Sequence, residues 1–251
     1  MTTSQIYTAG NILASTSLGT WEKECFSVFQ HDLISKDRPF PCVLGVEGFK
    51  QDLLRFCFAS ADEGGIENLA ACLYQYLQEF RTIGRYTSFV AFFEPGETLS
   101  LAEYEQKFWG VLQALHERDE YEWPEDTPQD PSHPLWEFCF SGEPIFVVCN
   151  TPAHLERKSR ASKTFMITFQ PRWVFEGLDE TSKKGQHVKK IVRKRLQTYD
   201  NVPVHPELGW YGQASNREWK QYFLRDDQDG LQTCPFQTKR GKVHASKKSL
   251  Y

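Results

Sequence analysis

Residues 136–176 read WEFCFSGEPIFVVCNTPAHLERKSRASKTFMITFQPRWVFE and place one imidazole, His154, and three cations, Arg157, Lys158 and Arg160, between two apolar runs. A neutral imidazole is a good ligand for iron or zinc, and one proximal histidine commonly holds a haem iron. Arginine forks grip carboxylates in pairs, so these cations could meet two carboxylates such as haem propionates. A solvated basic loop is the plain alternative. Arg172, just after the apolar run 164–169, could reach the same anion or pair with an acid such as Glu176. Cys42, in PFPCVLG, could ligate iron or act as a nucleophile if ionised, or serve as a buried structural thiol. Glu137 and Glu143, with Asp130 nearby, could receive a cationic substrate. Glu137 falls within an aromatic run, where a buried acid needs a partner, and Arg172 is a ready one. His116 and His133 are acid–base candidates by residue type only. His205, in VPVHPELG, is either a turn residue or a second ligand.

The elements that must position these groups follow from periodicity. Residues 21–33, 66–81, 101–118 and 183–199 carry helical apolar stripes. Pro39 and Pro41 force an extended approach, and Gly45 reads as a tight turn before a helix running to about residue 59. Residues 86–93, 136–140, 145–149 and 164–169 read as strands. The stretch 119–134 is acidic and carries four prolines, so it is an irregular loop, a lid or binding element in kind. Residues 216–224 predict a last short helix. The expected organisation is a polar, mobile lead-in over 1–20, one domain over 21–224 and a loose polar tail over 225–251. The fold class is α+β: a single domain with a central mixed or antiparallel sheet of four or so strands, surrounded by helices.

Bulk properties narrow the function. The 251 residues suffice for a large core without staples. The net charge of −4 argues against nucleic acid as a partner, which needs a basic footprint. The positive charge is local, in 183–195 and in the tail 239–248. Seven cysteines, odd in number and without CxxC spacing, indicate reduced thiols rather than disulfides or zinc. No secretory signal and no apolar run of about 18 residues is present, so a cytoplasmic protein without membrane attachment is expected. No GxGxxG, P-loop, GxSxG or HExxH occurs.

Five blocks in fixed order carry a resemblance: RPFPCVLG (38–45), LHERDEYEWPEDTPQDPSHPLWEFCFSGEPIFVV (115–148), TPAHLERKSR (151–160), FQPRWVFE (169–176) and IVRKRLQTYD (191–200). Through them the chain resembles the YqcI/YcgG family over roughly residues 21–224. That resemblance implies haem-dependent N-hydroxylation, as in members acting on the guanidino nitrogen of arginine or the cyclic guanidine of the guanitoxin pathway. It implies haem b (iron protoporphyrin IX), O2, an electron donor and a small amine or guanidine substrate; a homodimer is allowed. Branches with known arginine hydroxylases tend to carry a histidine where this chain has Thr151 and another where it has Arg172. On this reading His154 is the axial ligand, with Cys42 the alternative. Arg157, Arg160 and Arg172 hold propionates or steady the loop. Trp136, Phe138, Phe140 and Trp173 wall the porphyrin. Glu137 and Glu143, with acids 125–130, draw in the substrate. A non-catalytic haem carrier or sensor is the alternative function, and a cofactor-free interaction protein using the basic helix is a weaker third.

Overall fold

The computed structural model describes residues 5–238. Five strands, β1 (Leu54–Ala59), β2 (Ser88–Phe93), β3 (Phe138–Phe140), β4 (Glu143–Asn150) and β5 (Met166–Pro171), form one sheet in the order β1-β2-β5-β4-β3. β1 and β2 are parallel and every other pair is antiparallel, so the sheet is mixed. A helix, α4 (Glu63–Ile83), makes the crossover that parallel neighbours require. β3 and β4 form a hairpin whose two turn residues, Ser141 and Gly142, both have positive φ, as a type I′ turn demands.

Period-two alternation divides the side chains between two layers. Phe89, Ala91, Ile167, Phe169, Ile145 and Val147 face one layer and join the main core with α4 and α5 (Leu101–Arg118). Leu54, Phe56, Val90, Phe92 and Met166 face the other, where a second core forms with α1 (Ala9–Ala14) and α2 (Thr20–Ile34). α3 (Val43–Lys50) and α6 (Lys183–Tyr199) complete that second layer.

The mixed sheet surrounded by helices agrees with expectation, and α5 and α6 begin and end where periodicity places them. The helix predicted to run to residue 59 does not. It stops at Lys50, and LRFCFA forms β1, because alternate residues Leu54, Phe56 and Phe58 enter one layer while Cys57 and Ala59 enter the other. Gly45 lies inside α3 and is not a turn. The expected mobile lead-in carries α1, closed by a capping box at Thr8 and anchored by buried Ile12, and Tyr7 bridges to Phe56. The tail is not loose where it is described: Phe236 is buried and packs on Trp136 and Phe138. The basic stretch 239–248 lies outside the described residues. In place of a helix over 216–224, only a single 3-10 turn forms at Glu218–Gln221. No helix among the described residues is long and apolar enough to cross a membrane.

Candidate functional site

A cavity of about 380 Å³ lies on the second layer, between the sheet and α2, α3 and α6. Its floor is the face of the central strands that carries Ser88, Val90, Phe146, Val148, Thr168 and Gln170. Its roof is the apolar stripe of α6, Val188, Val192 and Leu196. That size and apolar character suit a small molecule or cofactor. Polar groups are few and placed: Gln170 donates through Nε2 to the Ser88 hydroxyl at 3.0 Å, both residues being buried. Ser88, Thr168 and Gln170 went unnoticed in the sequence, although polar residues inside apolar strand runs are the available signal.

Cys42 lines this cavity. It is half-buried at the N-cap of α3, and its Sγ accepts the Gly45 N–H at 3.4 Å. Burial pushes the thiol up, while the N–H groups of Gly45 and Leu44 and the charge of Arg160 pull it back. A helix N-terminus and a nearby guanidinium favour a thiolate, but burial outweighs them and the thiol stays above its ordinary range. The cation beside Cys42 is invisible in the sequence because Arg160 comes from a loop more than a hundred residues away.

His154 is elsewhere. It is 2% exposed and does not line the cavity. Its Nε2 donates to the Leu224 carbonyl at 2.9 Å, which leaves Nδ1 to accept from the Thr151 hydroxyl at 2.9 Å. Burial holds the imidazole down to about 4, the Leu224 contact opposing. With both ring nitrogens engaged, His154 directs no lone pair at the cavity, which speaks for a structural role rather than the expected axial ligation. The side chains of Arg157 and Arg160 are likewise turned to the protein rather than to the expected propionates. All three side-chain nitrogens of Arg157 donate to backbone carbonyls, of Arg225 (2.7 Å), Pro203 (3.3 Å) and Asp227 (3.3 Å). Arg160 donates to Tyr222 (3.0 Å) and Gln221 (2.9 Å). Burial lowers both guanidinium pKa values, that of Arg160 to about 10. Both side chains touch the cavity wall, and each turns its terminal nitrogens to backbone carbonyls behind it.

Arg172 lines the cavity and pairs not with Glu176 but with two buried acids. It forks onto Glu137, through Nε at 2.6 Å and through Nη2, and Nη2 also reaches Glu218 Oε1 at 2.6 Å. Its guanidinium stacks 3.8 Å over the Tyr211 ring. Burial pushes the Glu137 carboxyl up to about 7, with Arg172 opposing and Glu218 adding to the rise. Glu137 is fully enclosed and does not reach the cavity, whereas Glu218 lines it. Glu143 stands at the far strand end, paired with Arg81 at 2.8 Å. Glu176 pairs with Arg85. Trp173 packs edge-on to Phe80 in the other layer, and Trp136, Phe138 and Phe140 belong to the main core. None of these four aromatics walls the cavity; Phe29, Phe40, Phe92, Phe146 and Phe175 do.

His205 is a turn residue whose Nδ1 accepts from Glu207 N at 3.2 Å. His133 accepts from Leu135 N at the surface. His116 is buried against Trp123 and Phe236. The 119–134 loop is no lid over this cavity: Trp123 packs on the main core, and Pro131 accepts from Trp219 Nε1 at 3.0 Å.

Comparison with known proteins follows the same segments. A model of the YqcI/YcgG family matches residues 29–237. The uncharacterized protein YcgG of Bacillus subtilis is 45% identical over 225 residues, covering 87% of this chain and 89% of that protein. The uncharacterized protein YqcI of the same organism is 43% identical over 226 residues, covering 88% and 89%. A Streptomyces lavendulae protein named as a putative N(omega)-hydroxy-L-arginine synthase, DcsA, is 32% identical over 230 residues, covering 87% and 85%. No solved structure matches the chain.

Proposed function

The chain belongs to the YqcI/YcgG family, and on that premise we propose that it is a haem-dependent enzyme that N-hydroxylates a guanidine or amine of an arginine-like small molecule. The observation that carries the reading is the position of Cys42: a soft sulfur donor at a helix N-terminus, on the wall of an apolar cavity between sheet and helices. The name of the Streptomyces relative supplies the substrate class.

The donor set fits haem. Among the described residues no histidine lines the cavity, but Cys42 does, and its Sγ faces the backbone N–H groups of Gly45 and Leu44. Cys42 would hold the iron through its sulfur, the metal drawing off the thiol proton that burial otherwise retains. The flat faces of a porphyrin call for apolar walls, which Val90, Phe146, Val188 and Val192 provide. Bound haem supplies O2 binding and activation. Overall, one oxygen atom enters the N–H bond of the substrate. The other leaves as water, with two electrons and two protons from an external donor. Glu218 and Asp200 line the cavity but are paired with Arg172 and Arg157, so the substrate guanidinium would be met by the polar groups of the sheet face. Ser88, Thr168 and Gln170 orient it by hydrogen bonds.

The test is the absorption spectrum of protein purified from haem-fed cells, oxidised, reduced and with CO, for wild type, Cys42→Ala and His154→Gln. A stoichiometric Soret band that shifts with CO, is lost or displaced in C42A and persists in H154Q is expected. No band after reconstitution overturns haem dependence; an unchanged band in C42A overturns the ligand. Mass analysis of L-arginine and related guanidines after turnover tests the reaction.

A further inference from the structure

The three arginines first expected to hold an anion are engaged by other groups, whereas two cations of α6 on the cavity have no carboxylate partner. Lys189 and Arg193 lie four residues apart on α6, so they sit one above the other on one face, and both line the cavity. Lys189 is half-buried with its Nζ 4.0 Å from the centre of the Trp210 ring. Arg193 uses Nη2 on the Leu208 carbonyl at 2.6 Å, which anchors the guanidinium beside the same 208–211 loop. Among the described residues no carboxylate stands within ion-pair distance of either cation. Lys163, by contrast, is paired with Glu24, and Arg172 with Glu137 and Glu218. Lys158 also lines the cavity but has no cationic neighbour one helical turn away on a shared face. Like charges at this helical spacing destabilise a helix unless something neutralises them. Burial and the neighbouring Arg193 lower the Lys189 ammonium to about 8, with Glu180 opposing.

We propose that Lys189 and Arg193 form a carboxylate-binding site of the cavity, with Trp210 as its side wall. The proposal rests on this cavity being the ligand site of the preceding section. Two sources carry the right chemistry: the α-carboxylate of an amino-acid substrate and the propionates of a porphyrin. Either would convert a repulsive pair into a charge-assisted clamp, the arginine by its fork and the lysine as a point charge.

Two titrations separate the sources. Haem-free protein is titrated calorimetrically with L-arginine and with agmatine, the same molecule without its carboxylate. The protein is also titrated with hemin and with hemin dimethyl ester, followed at the Soret band. Wild type, the double variant Lys189→Gln/Arg193→Gln and the charge-keeping Lys189→Arg are compared, with circular dichroism to confirm folding. The double variant is expected to weaken one carboxylate ligand about tenfold or more, to leave its carboxylate-free counterpart unchanged, and to be matched by no such loss in K189R. Loss confined to L-arginine identifies a substrate carboxylate; loss confined to hemin identifies the propionates. If L-arginine and hemin both bind the double variant within twofold of wild type, or if neither binds wild type better than its carboxylate-free counterpart, the site is overturned. Hemin that binds no form, with L-arginine weakened in the double variant, sinks the haem reading and leaves the carboxylate site standing.

Discussion

Arg157 and Asp200 face each other at 3.7 Å with 1% of either side chain exposed. The pair ties the 151–160 loop to the C-terminal end of α6, and Asp200 also accepts from Ser159 N at 2.7 Å. Removing one partner of a buried pair strands the other charge, at a cost of about 3–5 kcal/mol. Arg157→Met therefore lowers stability by that order in urea denaturation, with three carbonyls losing their donor as well. A loss under 1 kcal/mol would mean the pair is open to water.

His154 makes stability depend on pH. Its folded pKa, about 4, lies below its ordinary value of 6.5, so the unfolded chain binds more protons between these limits. The contribution is whole above pH 6.5 and is lost as pH falls toward 4. It amounts to roughly 3 kcal/mol for a shift of this size. Chemical denaturation from pH 7 to 4 should show this slope in wild type and not in His154→Gln. Parallel curves for the two would refute it.

The cluster around Arg172 titrates in the opposite sense. Burial already lifts the Glu137 carboxyl to about 7. Arg172→Met leaves Glu137 and Glu218 buried without their cation, a loss on the order of 3–5 kcal/mol at pH 8. A buried acid with a raised pKa binds its proton in the folded state, so the deficit relative to wild type shrinks as pH drops toward 5.5. A deficit that is constant with pH would show that the acids are not what the substitution exposes.

Glycine inside a helix usually invites alanine, which gains up to about 1 kcal/mol. Gly48 in α3 reverses that sign. A Cβ there would come within 2.1 Å of the Tyr86 carbonyl oxygen and 3.0 Å of Leu54. Gly48→Ala must push α3 off the start of β2, costing about 1–3 kcal/mol, and shifts Cys42, which caps that helix. Thermal melting reads the first effect and the reactivity of the Cys42 thiol toward a thiol reagent the second; a stabilised variant would show that the two backbones are not in close approach.

Long amphipathic elements such as α5 and α6 are legible because periodicity repeats over several turns. β1 is six residues long, and its alternation was absorbed into the helix before it. The chemistry-bearing loop was recognised by residue type, but what its residues do is decided by partners far along the chain. Leu224 receives His154, and Tyr222 and Gln221 receive Arg160. Asp226 receives the N–H groups of Leu155, Glu156 and Arg157. No local pattern announces that a guanidinium will be taken up by distant carbonyls. Lys189 and Arg193 were visible as part of a basic helix, and only the packing of α6 over the sheet tells which of its cations face inward.

That dependence on late residues also sets a timetable during synthesis. The sheet and α5 can assemble once β5 has left the ribosome. The 151–160 loop then still carries two guanidiniums without their carbonyl partners, until the segment from Gln221 to Asp227 emerges to receive them. The back wall of the cavity is therefore among the last parts to close. A nascent chain halted before Gln221 would present a cationic loop open to solvent and to the proteases that survey unfinished proteins, whereas one that has passed Asp227 would be sealed.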